Sequence, residues 1–132
     1  MRKSMSNKDD IENEPEYDAA LDEVLKSLRG EYLNELPDRI DEMKDFVNKA
    51  KSDEVKLYEW LTEAHIIAHR LAGTAGSYGF TELSHAAGEM DQYLKNLLKN
   101  EADTGSVANR INWQTLDGLV EAVGNSVPPK TA

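Results

Sequence analysis

The sequence predicts an all-α protein, an antiparallel up-down four-helix bundle with a short additional helix at its N-terminal side. Three observations predict it. Apolar residues recur at spacings of three and four along most of the chain, which is the period of a helix with one buried face. The breaks between these series are only a few residues long, so consecutive helices must fold back on one another. No stretch of useful length alternates apolar and polar residues as a half-buried strand would.

Taken in order, residues 1–15 are polar, charged and aperiodic and read as a flexible tail. Tyr17, Leu21, Val24 and Leu28 then form a short amphipathic helix ending near Gly30, placed to cover one end of the bundle. Leu33, Leu36, Ile40, Met43, Val47 and Ala50 form the second series. It keeps step across Pro37, which implies a kink or an irregular first turn. The third and longest series is Leu57, Leu61, Ala64, Ala68, Leu71, Ala75 and Tyr78. Gly79 is placed to end that helix in a left-handed conformation, and Thr81 to cap the next. Leu83, Ala86, Met90, Leu94 and Leu97 make the fourth stripe; Asn100 to Gly105 is a polar connection. Trp113, Leu116, Val120 and Val123 make the last stripe, closed by Gly124. The predicted bundle helices are 31–50, 55–78, 81–99 and 106–123, within one domain at 16–125 that a flexible tail at 126–132 follows.

Composition narrows the function. The 132 residues fit one domain, and a hydrophobic fraction of 39% supports a single core. With 25 acidic and 15 basic side chains the formal charge is −10, which repels nucleic acid and anionic membrane, so neither is expected as a partner. The absence of Cys removes disulfides and thiolate metal sites. The opening MRKSMSNKDDIENEPE has no apolar core and does not read as a signal peptide. No apolar run approaches the roughly 18 residues of a membrane span. The expected location is the cytoplasm, and one buried stripe per helix suits a monomer.

The candidate site follows from rotation by about 100° per residue. With His69 at zero, the apolar stripe of its helix is centred near −130°, so His69 faces solvent. Sharing its face are Thr62, His65, Ile66, Ala72, Gly73 and Gly76. The backbone beyond the imidazole is therefore nearly bare. A glycine inside a helix costs about 1 kcal/mol relative to alanine, so two on one exposed face require a reason. Either a partner protein approaches the imidazole closely, or a neighbouring helix packs there.

The stretch Ala68-His69-Arg70-Leu71-Ala72-Gly73-Thr74-Ala75-Gly76-Ser77-Tyr78-Gly79-Phe80 resembles the signature of histidine-containing phosphotransfer domains. His69, Leu71, Gly73 and Gly79 match it; Ala72 stands where that family usually has a lysine. The resemblance covers about 17–124 and implies a phosphoryl carrier without autokinase activity, loaded on His69. Its implied partners are the receiver domains of response regulators and a hybrid histidine kinase. It implies no intrinsic cofactor, the Mg²⁺ being supplied by the receiver. Arg70 would take over part of the missing lysine's role, and Asp91 stands where the family has an acidic or amide residue facing the histidine. Docking would use Thr62, His65, Ile66, Ala72, Gly73 and Gly76, extending to Lys95. A neutral imidazole suits this chemistry, because its free ring nitrogen is a nucleophile near neutral pH.

Two other readings compete. His65 and His69, four residues apart, can meet one metal ion, with His85 and Asp91 to complete the set, although no glutamate follows His65 as a metalloprotease motif requires. A purely structural helical adaptor accounts for the bundle but not for an exposed histidine beside two glycines. A histidine kinase is disfavoured, since Arg70 rather than an acid follows His69 and no glycine-rich nucleotide loop is present.

Overall fold

The computed structural model describes residues 15–99 and 104–129. Its contacts divide the chain into two units, Met1–Asn34 and Glu35–Ala132. The helices are α1 (Pro15–Ser52), α2 (Leu57–Ser77), α3 (Thr81–Leu98), α4 (Thr104–Arg110) and α5 (Trp113–Asn125), with no strand among the described residues. The tail expected at 1–15 lies outside the described residues up to residue 14, as do 100–103 of the predicted connection and 130–132 at the other end.

The predicted break near Gly30 is absent. Residues 17–28 are the first turns of α1 rather than a separate short helix, and their apolar side chains Leu21, Val24, Leu25 and Leu28 are exposed. Gly30 adopts no positive φ, and Pro37 sits inside the helix. A helix-interior proline costs about 3 kcal/mol. Leu36 just before it, and Ile40, Met43, Val47 and Ala50 beyond it, are all buried. At roughly 1.5–3 kcal/mol for each large side chain, that burial outweighs the proline.

Within the second unit, α2 packs along α3, α3 also packs on α5, and the short α4 lies against both α2 and α3. The core is the predicted stripes, Leu57, Leu61, Ala64, Ala68, Leu71 and Ala75 from α2 meeting Leu83, Ala86, Met90, Leu94 and Leu97 from α3. Leu116, Val120 and Val123 of α5 and Val107 of α4 complete it. The C-terminal part of α1 is fixed by Phe46 stacked on Trp60 at 5.9 Å, and by Lys51 paired with Asp117 at 2.7 Å.

The helix predicted over 106–123 is divided in two. Asn112 leaves the helical conformation and caps α5, its side chain accepting from the Thr115 N–H at 3.0 Å. The Asn112 N–H in turn donates to Tyr93 Oη at 2.9 Å, so the interruption is anchored to α3.

The turn between α2 and α3 matters most for the site. Gly79 has φ of +84°, and the Phe80 N–H bonds the Ala75 carbonyl while the Gly79 N–H bonds that of Gly76. This is a Schellman closure, as the position of Gly79 predicts. Thr81 does not cap α3 as expected: Phe80 holds the cap position and no side chain caps the helix. Replacing Gly79 with Ala is expected to destabilise the protein by about 1–2 kcal/mol, the cost of placing a Cβ in the left-handed region. Chemical denaturation measures it, and an unchanged midpoint would show that the turn relaxes without cost.

Candidate functional site

The tight turn makes α2 and α3 an antiparallel hairpin, seen in contacts from Gly76 and Ala72 to Ser84 and from His69 and His65 to Asp91. The level of each residue follows from its distance to Gly79. At about 1.5 Å per residue, His69 lies roughly 15 Å from the turn, His65 roughly 21 Å and Asp91 roughly 18 Å. The carboxylate therefore falls between the two imidazoles. His69 Nδ1 is 3.1 Å from Asp91 Oδ2, and His65 Nε2 is 2.6 Å from Asp91 Oδ1. The two rings are 6.3 Å apart. The side chain of His69 is 73% exposed, against 25% for His65 and 21% for Asp91, so only His69 presents itself to solvent.

Burial pushes the Asp91 carboxyl up. The hydrogen bonds from His69 and His65, together with the charge of these rings when protonated, outweigh that and hold it below the ordinary carboxylate value. Asp91 is thus an anion at neutral pH, and an ionised carboxylate only accepts hydrogen bonds. His65 must donate through Nε2–H and His69 through Nδ1–H. In neutral His69 the lone pair then sits on Nε2, the nitrogen that Asp91 does not engage. The arrangement is a nucleophilic nitrogen on an exposed side chain, whose partner nitrogen is held protonated by a half-buried anion. An open depression of about 450 Å³ beside it is lined by His65, Ile66, His69, Arg70, Asp91, Gln92 and Lys95.

The family model for the Hpt domain matches residues 27–126, most of the chain. The chain belongs to the Hpt-domain family. Hpt domains carry out histidine phosphotransfer in the phosphorelays of two-component signalling; they are phosphocarrier modules rather than enzymes, and their partners there are receiver domains and histidine kinases. No curated protein and no solved structure matches the chain. Among the described residues, no helix is long and apolar enough to cross a membrane.

The remaining residues singled out in the sequence divide clearly in this Hpt domain. His65, Ile66, Arg70 and Lys95 share the depression with His69 and Asp91. Arg70 and Lys95 are exposed cations there, while Ala72, at the position of the family's usual lysine, is half-buried and contributes no charge. Gly73 is exposed, and a Cβ built on it would meet nothing within 4 Å. Gly76 is different, because a Cβ there would stand 3.1 Å from Ser84 Oγ, whose hydroxyl donates to the Ala72 carbonyl at 2.7 Å. Of the two explanations for the bare backbone, close packing fits Gly76 and open access fits Gly73. Thr62 is half-buried and donates its hydroxyl to the Tyr58 carbonyl, so it does not line the depression. His85 stands apart, paired with Glu89 at 3.3 Å. Among the described residues, no group of three or more His, Cys, Asp and Glu side chains is arranged to hold a metal ion.

Sequence reasoning missed Gln92 and Ser84, and it missed that His65 shares Asp91. The last was within reach. Once Gly79 is accepted as the turn, counting residues outward along both helices places Asp91 between His65 and His69.

Proposed function

We propose that this Hpt domain accepts a phosphoryl group on His69 from the aspartyl phosphate of one receiver domain and passes it to another receiver. The single observation that supports the reading is the His69 imidazole, exposed to solvent and held at Nδ1 by Asp91, which leaves Nε2 to react. In the transfer, the Nε2 lone pair attacks phosphorus in line with the bond to the receiver's carboxylate oxygen. That bond breaks as the N–P bond forms, and the Nδ1 proton stays on the ring against Asp91. The receiver supplies the acidic pocket and its Mg²⁺; this chain supplies the nucleophile, with no cofactor of its own. Arg70 and Lys95, at the rim of the depression, neutralise charge on the phosphoryl oxygens in place of the lysine that Ala72 replaces. The receiver docks over His65, Ile66, Gly73 and the exposed surface around them, with Thr62, Ala72 and Gly76 at its margin.

The bundle that carries this site is an antiparallel up-down arrangement of α1, α2, α3 and α5, forming a single domain over 16–125 that works as a monomer in the cytoplasm. Transfer is tested by incubating the protein with a phosphorylated receiver domain and following acid-labile label. ATP and Mg²⁺ alone are expected to leave the protein unlabelled, since Arg70 rather than an acid follows His69 and the sequence has no glycine-rich nucleotide loop. Label appearing on the isolated protein under those conditions would contradict the absence of autokinase activity.

A further inference from the structure

We propose that His65 is a positioning residue for phosphoryl transfer at His69, fixing the shared Asp91 carboxylate and permitting rapid transfer only while it is itself uncharged. The proposal rests on the reading that His69 is the phosphoryl acceptor.

The two imidazoles meet Asp91 through different nitrogens. His65 uses Nε2, at 2.6 Å, and His69 uses Nδ1, at 3.1 Å. His65 therefore has its outermost nitrogen engaged and three-quarters of its side chain covered, whereas His69 leaves Nε2 open. This asymmetry makes one ring a support and the other a nucleophile. A carboxylate held by one hydrogen bond can swing about its χ2 torsion, which is broad. Held on Oδ1 by His65, Asp91 keeps Oδ2 aimed at His69 Nδ1, so the tautomer with a lone pair on Nε2 is selected before any partner arrives.

Charge supplies the second half of the proposal. When Nε2 of His69 forms its bond to phosphorus, the P–O bond to the receiver's carboxylate breaks and its electron pair leaves on that oxygen. The Nδ1 proton remains, so the His69 ring becomes cationic. Asp91 balances one positive charge. If His65 is already protonated, that balance is taken up, and a second cation stands 6.3 Å from the ring that must acquire charge. The other charged groups lining the depression, Lys95 from α3 and Arg70 from α2, are cations and do not relieve it. Arg110 of α4, engaged with Ser106 and the Leu97 carbonyl, and Lys49 of α1, over the Phe46 and Trp60 rings, are not among its lining residues. A cationic His65 is therefore expected to slow transfer by about tenfold or more, as for two like charges at this separation in a partly screened site.

The test compares His65→Gln, which keeps an amide N–H donor and cannot titrate, with His65→Leu, which has no donor. Transfer from a phosphorylated receiver is measured against pH, with ¹⁵N NMR of the His69 ring as an independent readout. In the wild type His69 must be neutral to react and a charged His65 slows it further. The logarithm of the rate should then fall on the acid side more steeply than His69 alone would make it. His65→Gln, which cannot titrate, should show a shallower acid slope than the wild type, whatever its rate at alkaline pH. His65→Leu should be about tenfold slower throughout, the order of one lost hydrogen bond to a charged group, with the His69 ring spread over both tautomers. Wild-type rate, acid slope and tautomer in both variants, while His69→Gln abolishes labelling, would overturn the role of His65 and leave the carrier reading standing. Labelling that survives His69→Gln would overturn the carrier reading itself, whatever the His65 variants do. Should the leucine variant fail to fold, the acid slope of the glutamine variant decides alone: one shallower than the wild type supports the proposal and an unchanged slope overturns it.

Discussion

Replacing His69 with Gln is expected to abolish phosphoryl acceptance while leaving the helical fold in place. Its side chain is 73% exposed, and its hydrogen bond is to Asp91, which keeps its shorter bond to His65 when His69 is lost. Exposed positions of this kind usually change stability by less than about 0.5 kcal/mol. The loss of function is total because glutamine has no nitrogen lone pair of comparable nucleophilicity, its amide nitrogen being conjugated with the carbonyl. Label transfer from a phosphorylated receiver measures acceptance, and circular dichroism with thermal melting measures the fold. His85→Gln should accept label normally, since His85 is paired with Glu89 away from the depression; a His65 variant should still accept label, at a reduced rate. A fully labelled His69 variant would remove His69 as the carrier.

The second large effect is expected at Gly73, where stability and function should move in opposite directions. Gly73 is one turn beyond His69 on the same exposed face, and a Cβ added there meets no atom within 4 Å. Gly73→Gln should therefore gain helix propensity, several tenths of a kcal/mol to about 1 kcal/mol. The hydrogen bond from the Ser77 hydroxyl to the Gly73 carbonyl involves only the backbone of this residue and is retained. Transfer should slow strongly, by tenfold or more, because a long side chain one turn from Nε2 stands where the receiver's acidic pocket must descend. Had the glycine packed against a neighbouring helix, the same change would overfill the contact and cost about 1–3 kcal/mol. A melting temperature and a transfer rate on this one variant separate the cases. A destabilised protein with a normal rate per folded molecule would defeat the docking assignment.

The helical class, the buried stripes and the direction in which His69 points were legible in the order of the residues. These depend on a period of 3.6 residues, and a residue's angular position is set by its own helix whatever packs against it. That is why Leu57 to Ala75 of α2 and Leu83 to Leu97 of α3 are buried as predicted, and why His69 is exposed. Gly79 was legible for the same local reason, because a helix end in the left-handed region selects glycine. Tertiary structure decided what depends on competition between local preference and packing. Gly30 and Pro37 look like a boundary, yet α1 runs through both, with buried isoleucine, methionine, valine and alanine beyond Pro37. The series from 106 to 123 looks continuous, yet Asn112 finds Tyr93 and divides it. Gly73 and Gly76 look equivalent on a helical wheel, and only the position of Ser84 on the neighbouring helix makes one an open surface and the other a contact. The sharing of Asp91 by His65 and His69 belongs to the same class, since it exists only once the turn at Gly79 has set the register between two helices.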